Sequence, residues 1–102
     1  MSITTKTIKL GTNRGNRRIW LQGKWLLAWF GDRGHFAVDY QDGVIVIAAV
    51  DPSHPSARKT TTNARGAIID LCSSEVGPAL NHAASVTADI DTRMRVITLK
   101  PA

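Results

Sequence analysis

Six basic residues, Lys6, Lys9, Arg14, Arg17, Arg18 and Lys24, fall within the first 24 residues, and no acidic residue accompanies them. Three of them sit in or beside the run Gly11-Thr12-Asn13-Arg14-Gly15-Asn16. This combination suits the capture of phosphate. Guanidinium groups grip it bidentately, and glycine and asparagine tolerate the positive φ that brings backbone N–H groups close to it. Arg14, Arg17, Arg18 and Lys24 are therefore the expected nucleic-acid contacts. Asn13 and Asn16 carry amides able to read an adenine edge, although asparagine in such a run forms turns first of all. Arg58, Lys59 and Arg65 make a second basic group and an expected secondary contact. From Ala67 onward the balance changes, because Asp70, Glu75, Asp89 and Asp91 outnumber Arg93, Arg95 and Lys100. The net charge of +5 is thus unevenly spread, the footprint of a polyanion partner; its bland alternative is a solvated basic surface.

Other reactive residue types lack the company that chemistry needs. His35, His54 and His82 are scattered without metal-ligand spacing, so no metal site is expected. The single Cys72 excludes an intramolecular disulfide or a cysteine-rich zinc site, and is expected to be a buried, inert thiol. Asp39 and Asp89 recur in matching contexts and are expected on outward hairpin positions rather than as an acid–base pair. The glycine-rich run lacks the lysine–serine ending and the following long helix of a nucleotide-binding loop. No catalytic residue and no cofactor is expected, and the chain is read as non-enzymatic. Trp20 alternates with Ile19 and Leu21 and is a candidate stacking platform or protein interface, with core packing an equal alternative. Trp25 and Trp29 share a helix face and are expected in the core or at a seam.

These residues must be positioned by a small fold. With 102 residues, 43% of them apolar, the chain is expected to form a single domain, 1–102, with one modest core. The longest apolar run, Val44 to Val50, is too short to span a bilayer, and Met1 to Leu10 has no continuous apolar stretch. The expectation is a soluble cytoplasmic protein, in a bacterial or phage-infected cell, with no membrane partner. Ser2 to Leu10 reads as an edge strand, Gly11 to Asn16 as a loop, Arg18 to Leu21 as a short strand and Lys24 to Phe30 as a short helix closed by Gly31 to Gly34. Phe36 to Tyr40 and Val44 to Val50 flank Asp42-Gly43 as a hairpin. Residues 51–66, with two prolines and no period, read as a linker loop.

The pattern then returns. Ile68 to Leu71 matches Arg18 to Leu21, Ser73 or Ser74 is placed to cap a short helix carrying Glu75 and Pro78, and Val86, Ala88 and Ile90 match Phe36, Val38 and Tyr40. The alignment runs at an offset of 50 from Ile19/Ile69 to Val46/Val96, one extra residue in the second turn improving its end. The expected fold is mostly β with two short helices: strand–helix–hairpin units in an N-terminal basic half, 1–50, and a second half-repeat, 67–102, packed as a monomeric pseudo-dimer. Further self-association is left open.

The segment Ile19-Trp20-Leu21-Gln22-Gly23-Lys24-Trp25-Leu26, continued to Val44-Ile45-Val46-Ile47, resembles the SymE-like group of the AbrB/MazE superfamily. Gly-Lys-Trp-Leu is the most specific part of about 30 matching residues. Trp29 stands where the family has a helix-ending glycine, and a degenerate second copy replaces the family's second chain. The resemblance implies a swapped-hairpin AbrB-like barrel that binds DNA through basic residues of its first strand and neighbouring loops. It also makes a phage or accessory origin plausible. The expected partner is nucleic acid, DNA ahead of RNA, or a nucleic-acid-associated protein complex. The alternative function is a phage or mobile-element inhibitor of a host defence system, of anti-CRISPR or anti-restriction type, acting by protein–protein binding. A third is a SymE-like toxin acting on RNA or the nucleoid.

Overall fold

Short runs of β-branched residues separated by glycine, asparagine and aspartate turns make this chain a set of antiparallel hairpins. The computed structural model describes residues 3–31, 34–63 and 65–102. Within them the order is β1 (Ile3–Lys9), β2 (Gly11–Asn13), β3 (Asn16–Gly23), α1 (Lys24–Phe30), β4 (His35–Gln41) and β5 (Val44–Val50). The same order then recurs as β6 (Arg58–Lys59), β7 (Thr61–Asn63), β8 (Gly66–Cys72), α2 (Val76–Ala79), β9 (Ser85–Asp91) and β10 (Val96–Pro101). Ser2 of the expected edge strand and Asp32 and Arg33 of the expected helix stop lie outside the described residues. No described helix is long and apolar enough to cross a membrane.

Two antiparallel sheets result, one of six strands ordered β1-β9-β10-β5-β4-β6 and one of four ordered β2-β3-β8-β7. They do not close into the expected barrel. Closure needs the edge strands of a sheet to pair, whereas β1 and β6 lie on opposite edges of the larger sheet. Just before β6, the Ser56 and Ala57 N–H groups donate to His54 Nδ1 and the His54 carbonyl, each at 3.1 Å, so the chain is turning where that edge strand would extend.

Pairing registers recur between the halves. Gly11, Thr12 and Asn13 oppose Arg18, Arg17 and Asn16, and the residues 50 places on, Thr61, Thr62 and Asn63, oppose Ile68, Ala67 and Gly66. Ile8 and Lys9 of β1 oppose Val86 and Ser85 of β9; 50 places on, Arg58 and Lys59 oppose Phe36 and His35. Residues 51–66, expected to be a linker, therefore contain β6 and β7, strands too short for a period of two to show. Gly11 to Asn16, expected as a loop, likewise holds β2, a tight turn and the start of β3. The hairpin turns differ by two residues rather than one: Gln41 pairs with Val44, but Asp91 with Val96.

The core joins both sheets and both helices. Ile19 and Leu21 of β3, Ile69 and Leu71 of β8, Ile45 and Ile47 of β5, and Ile97 and Leu99 of β10 are all buried. Helix α1 adds Leu26, Trp29 and Phe30, with Trp25 half-buried beside them. It ends at Gly31, whose φ of 59° is left-handed and whose N–H donates to the Leu27 carbonyl at 3.0 Å. Helix α2 has no side-chain cap; Ser73 Oγ instead accepts from the Glu75 N–H at 3.3 Å, so Glu75 is itself the cap residue. Each hairpin turn reaches the end of a helix in the opposite half. The Gly43 N–H donates to the Ala79 carbonyl at 2.8 Å, and Arg95 Nη1 to the Phe30 carbonyl at 3.4 Å.

Glycine permits a close backbone approach between the halves at Gly66. A Cβ on Gly66, where φ is +117°, would lie 2.3 Å from the Gly23 carbonyl oxygen and 2.7 Å from the Lys24 nitrogen, both backbone atoms. A Cβ on Gly23 would lie 2.6 Å from the Trp25 indole, so glycine is required just before Lys-Trp. Gly66→Ala is predicted to cost about 2 kcal/mol or more. Gly15→Ala, with nothing within 4 Å of its added methyl, is predicted to cost only the left-handed backbone penalty of about 1 kcal/mol. Urea denaturation of the two variants checks the order; equal costs would show that the Gly23–Gly66 approach is not tight in solution.

Candidate nucleic-acid interface

β2 and β3 form a hairpin with a two-residue turn at Arg14 and Gly15, whose φ values of 53° and 83° match the primed turns that follow the twist of the strands. Arg14 is the costly member, since a non-glycine residue pays to be left-handed. Its side chain is exposed at the tip, next to exposed Asn13 and half-buried Asn16.

The pleat of β3 then separates the arginines. Ile19 and Leu21 face the core, so Arg17 shares their side and Arg18, Trp20 and Gln22 share the other. Arg17 lies where the core row ends; its Nη2 donates to the His82 carbonyl at 3.5 Å, and its stem runs beside Gly77.

Arg18 is tied down on the outer face. Its Nε and Nη2 donate to the two Asp70 carboxylate oxygens at 2.9 and 2.8 Å, and this hydrogen bonding raises the guanidinium pKa above its ordinary value. The same guanidinium lies 4.7 Å from the centre of the Trp20 ring, and Trp20 Nε1 donates to Gln22 Oε1 at 3.1 Å. Trp20 is held by these neighbours yet is 43% exposed, which decides against core packing and leaves an indole surface open to a planar group.

The remaining basic residues lie elsewhere. Lys24 is exposed at the start of α1, at the far end of β3, where the close approach of Gly66 also brings the β7–β8 turn carrying Arg65. At about 3.3 Å per residue, the length of β3 separates that end from the Arg14 tip by roughly 25 Å. Arg58 and Lys59 lie on the edge of the larger sheet, with the Arg58 guanidinium 5.1 Å from the Phe36 ring centre. The chain thus brings together Asn13, Arg14, Asn16 and Arg17, pairs Arg18 with an acid, and sets Lys24 and Arg65 at the opposite end.

Sequence reasoning missed the other wall of the hairpin. A cleft of about 430 Å³ lies between it and α2, with Thr12, Asn16 and Arg17 on one side and Ser73, Ser74 and His82 on the other. No local spacing announces this, because the residues come from segments more than 50 positions apart. Cys72, expected to be buried, is half-buried on β8, its Sγ 3.8 Å from the Asn13 carbonyl, because strand β8 runs two residues past the Asp70 row instead of giving way to a helix. Asp39 and Asp89 do face outward, Asp89 accepting from the Thr5 hydroxyl at 2.9 Å. Among the described residues, no three His, Cys, Asp or Glu side chains gather as a metal-holding group. No protein-family model matches this chain, and neither a curated protein nor a solved structure is significantly similar to it.

The Arg18–Asp70 pair is more than one-third exposed on average, with side-chain exposures of 35% and 38%, so water screens it. Asp70→Ala is predicted to leave the urea denaturation midpoint almost unchanged while shifting the Trp20 indole N–H resonance. A large loss of stability would mean that the pair holds β3 to β8.

Proposed function

We propose that this chain is a non-enzymatic nucleic-acid-binding protein, an AbrB-like pseudo-dimer with two degenerate swapped-hairpin copies in one polypeptide, acting in the cytoplasm without a cofactor. Its ligand is DNA ahead of RNA, held mainly through phosphates. The observation that carries this reading is the projecting β2–β3 hairpin: Arg14 exposed at its tip, Arg17 along its edge and no acidic residue on either strand. Arginines presented on a tight hairpin suit a phosphate backbone, and such contacts supply affinity rather than sequence choice. Trp20, exposed on the opposite face of β3 beside Arg18, adds a surface on which a base can stack.

The pseudo-dimer is supported by strand exchange. β1 pairs with β9, β3 with β8, β10 with β5 and β4 with β6, so every one of these contacts joins one half to the other. Trp20 pairs with Asp70, its counterpart 50 residues on, and Val46 pairs with Thr98, its counterpart once the longer second turn is counted. Residues beside a two-fold axis pair in this way.

A protein partner is the second reading. The outer face of the larger sheet favours it, because Val44, Val46, Val50 and Val96 are all only half-buried there. Occupation of that face or of Trp20 by a defence-system protein is the inhibitor alternative.

Binding to a mixed double-stranded DNA at several salt concentrations tests the proposal. Affinity should fall steeply with salt, and Arg14→Ala with Arg17→Ala should flatten the logarithmic slope by roughly 2, at about 0.9 for each phosphate left unneutralised. Arg18→Ala should change the slope less, since Asp70 already takes its charge. Absence of binding at low salt would overturn the DNA reading and favour the protein partner.

A further inference from the structure

The cleft between the β2–β3 hairpin and α2 has a composition that a general basic surface does not require. We propose that it is a binding site for one phosphate group, that of a nucleotide; the proposal deepens the polyanion reading and rests on it. At about 430 Å³ the cleft falls in the lower part of the range of small-ligand pockets, roughly 300–1,000 Å³, which suits a single nucleotide unit. Its polar lining is rich in donors: the Arg17 guanidinium, the His82 ring, the hydroxyls of Thr12, Ser73 and Ser74, and the Asn16 amide. Among the described residues no carboxylate lines it. Glu75 and Asp42 instead line the neighbouring depression with Tyr40 and Gln41, and Ser74 and Pro78 border both. A site furnished with a guanidinium and hydroxyl donors, with acids kept to the adjacent hollow, selects an anion.

Two features set the donors in advance. Arg17 is oriented by its 3.5 Å contact with the His82 carbonyl. His82 follows Asn81 in a second left-handed conformation, with φ of 57° after 53°, and its N–H donates to the Gly77 carbonyl at 2.8 Å. This turn folds the imidazole back over Gly77, where an added Cβ would lie 3.1 Å from Nδ1. Left-handed backbone at a residue other than glycine is strain of the kind retained at ligand sites, and histidine here supplies a donor that glycine lacks. The residue 50 places beyond Arg17 is Ala67, fully buried, so the second half has no counterpart of this arginine.

The test is an amide NMR titration of the intact protein with inorganic phosphate and with a deoxynucleoside 5′-monophosphate, run on wild type, Arg17→Ala and His82→Gly. Saturable shifts confined to residues 15–17, 73–77 and 82 support the site. Arg17→Ala should weaken the affinity about tenfold, the effect of losing a charge-assisted hydrogen bond. His82→Gly should weaken it too, while its melting temperature stays level or rises because glycine adopts this φ without strain. A purely structural histidine would leave phosphate affinity unchanged in that variant, and this result overturns the role of His82. Shifts that do not saturate, or that survive Arg17→Ala unaltered, overturn the site. Phosphate bound in the cleft by a protein that ignores DNA would retain the site and reject the DNA reading; DNA binding with an unresponsive cleft would reject the site alone.

Discussion

The antiparallel pairing of β3 with β8 is the interaction on which the other contacts depend. From Arg18 opposite Cys72 to Gly23 opposite Ala67, it joins the two halves of the chain backbone to backbone. On one side it buries Ile19, Leu21, Ile69 and Leu71 together; on the other it puts Trp20 opposite Asp70. The close approach of Gly66 to Gly23 at its end lets α1 begin at Lys24 and lie against β8 as well as β3. A hydrophobic face built from strands of both halves cannot be buried by either half alone, so secondary structure and core form together.

The larger sheet applies the same constraint again. β5 and β10 pair at its centre, β1 crosses to β9 and β6 to β4, and each hairpin turn touches the end of a helix in the other half. Contacts such as Ile3 with Asp91 span nearly the whole chain. A fold assembled from pairings this distant closes its longest loops before gaining the contacts that reward them, which favours one cooperative transition and slow folding.

Charge follows the architecture. The tight β2–β3 turn exposes Arg14 at the tip of two strands that carry no acid, while Arg18, two positions from Trp20, is neutralised by Asp70 and steadies the indole. Arginines close together in sequence therefore take different work: one at a tip, one along a cleft, one beneath an aromatic ring. The pleat causes this, because successive residues of a strand face opposite sides.

Local chemistry in the sequence was enough for the elements whose signals are short-range. Helix α1 was legible from the i,i+4 spacing of Leu26 and Phe30 and of Trp25 and Trp29, and the β4–β5 hairpin from Asp42-Gly43. Alternation with Ile19 and Leu21 set Trp20 on the face opposite them but left core packing and exposure equal, and only the packed structure shows it exposed. Strands β2, β6 and β7 were not legible, since two or three residues carry no readable period and are strands only because a neighbour offers a ladder. Nor were the open edges of the sheets, the pairing of Arg18 with Asp70, or the meeting of Arg17 with Ser74 and His82 across the cleft. Those depend on register between segments 50 or more residues apart, and register is decided by packing the two halves against each other, which no local pattern encodes.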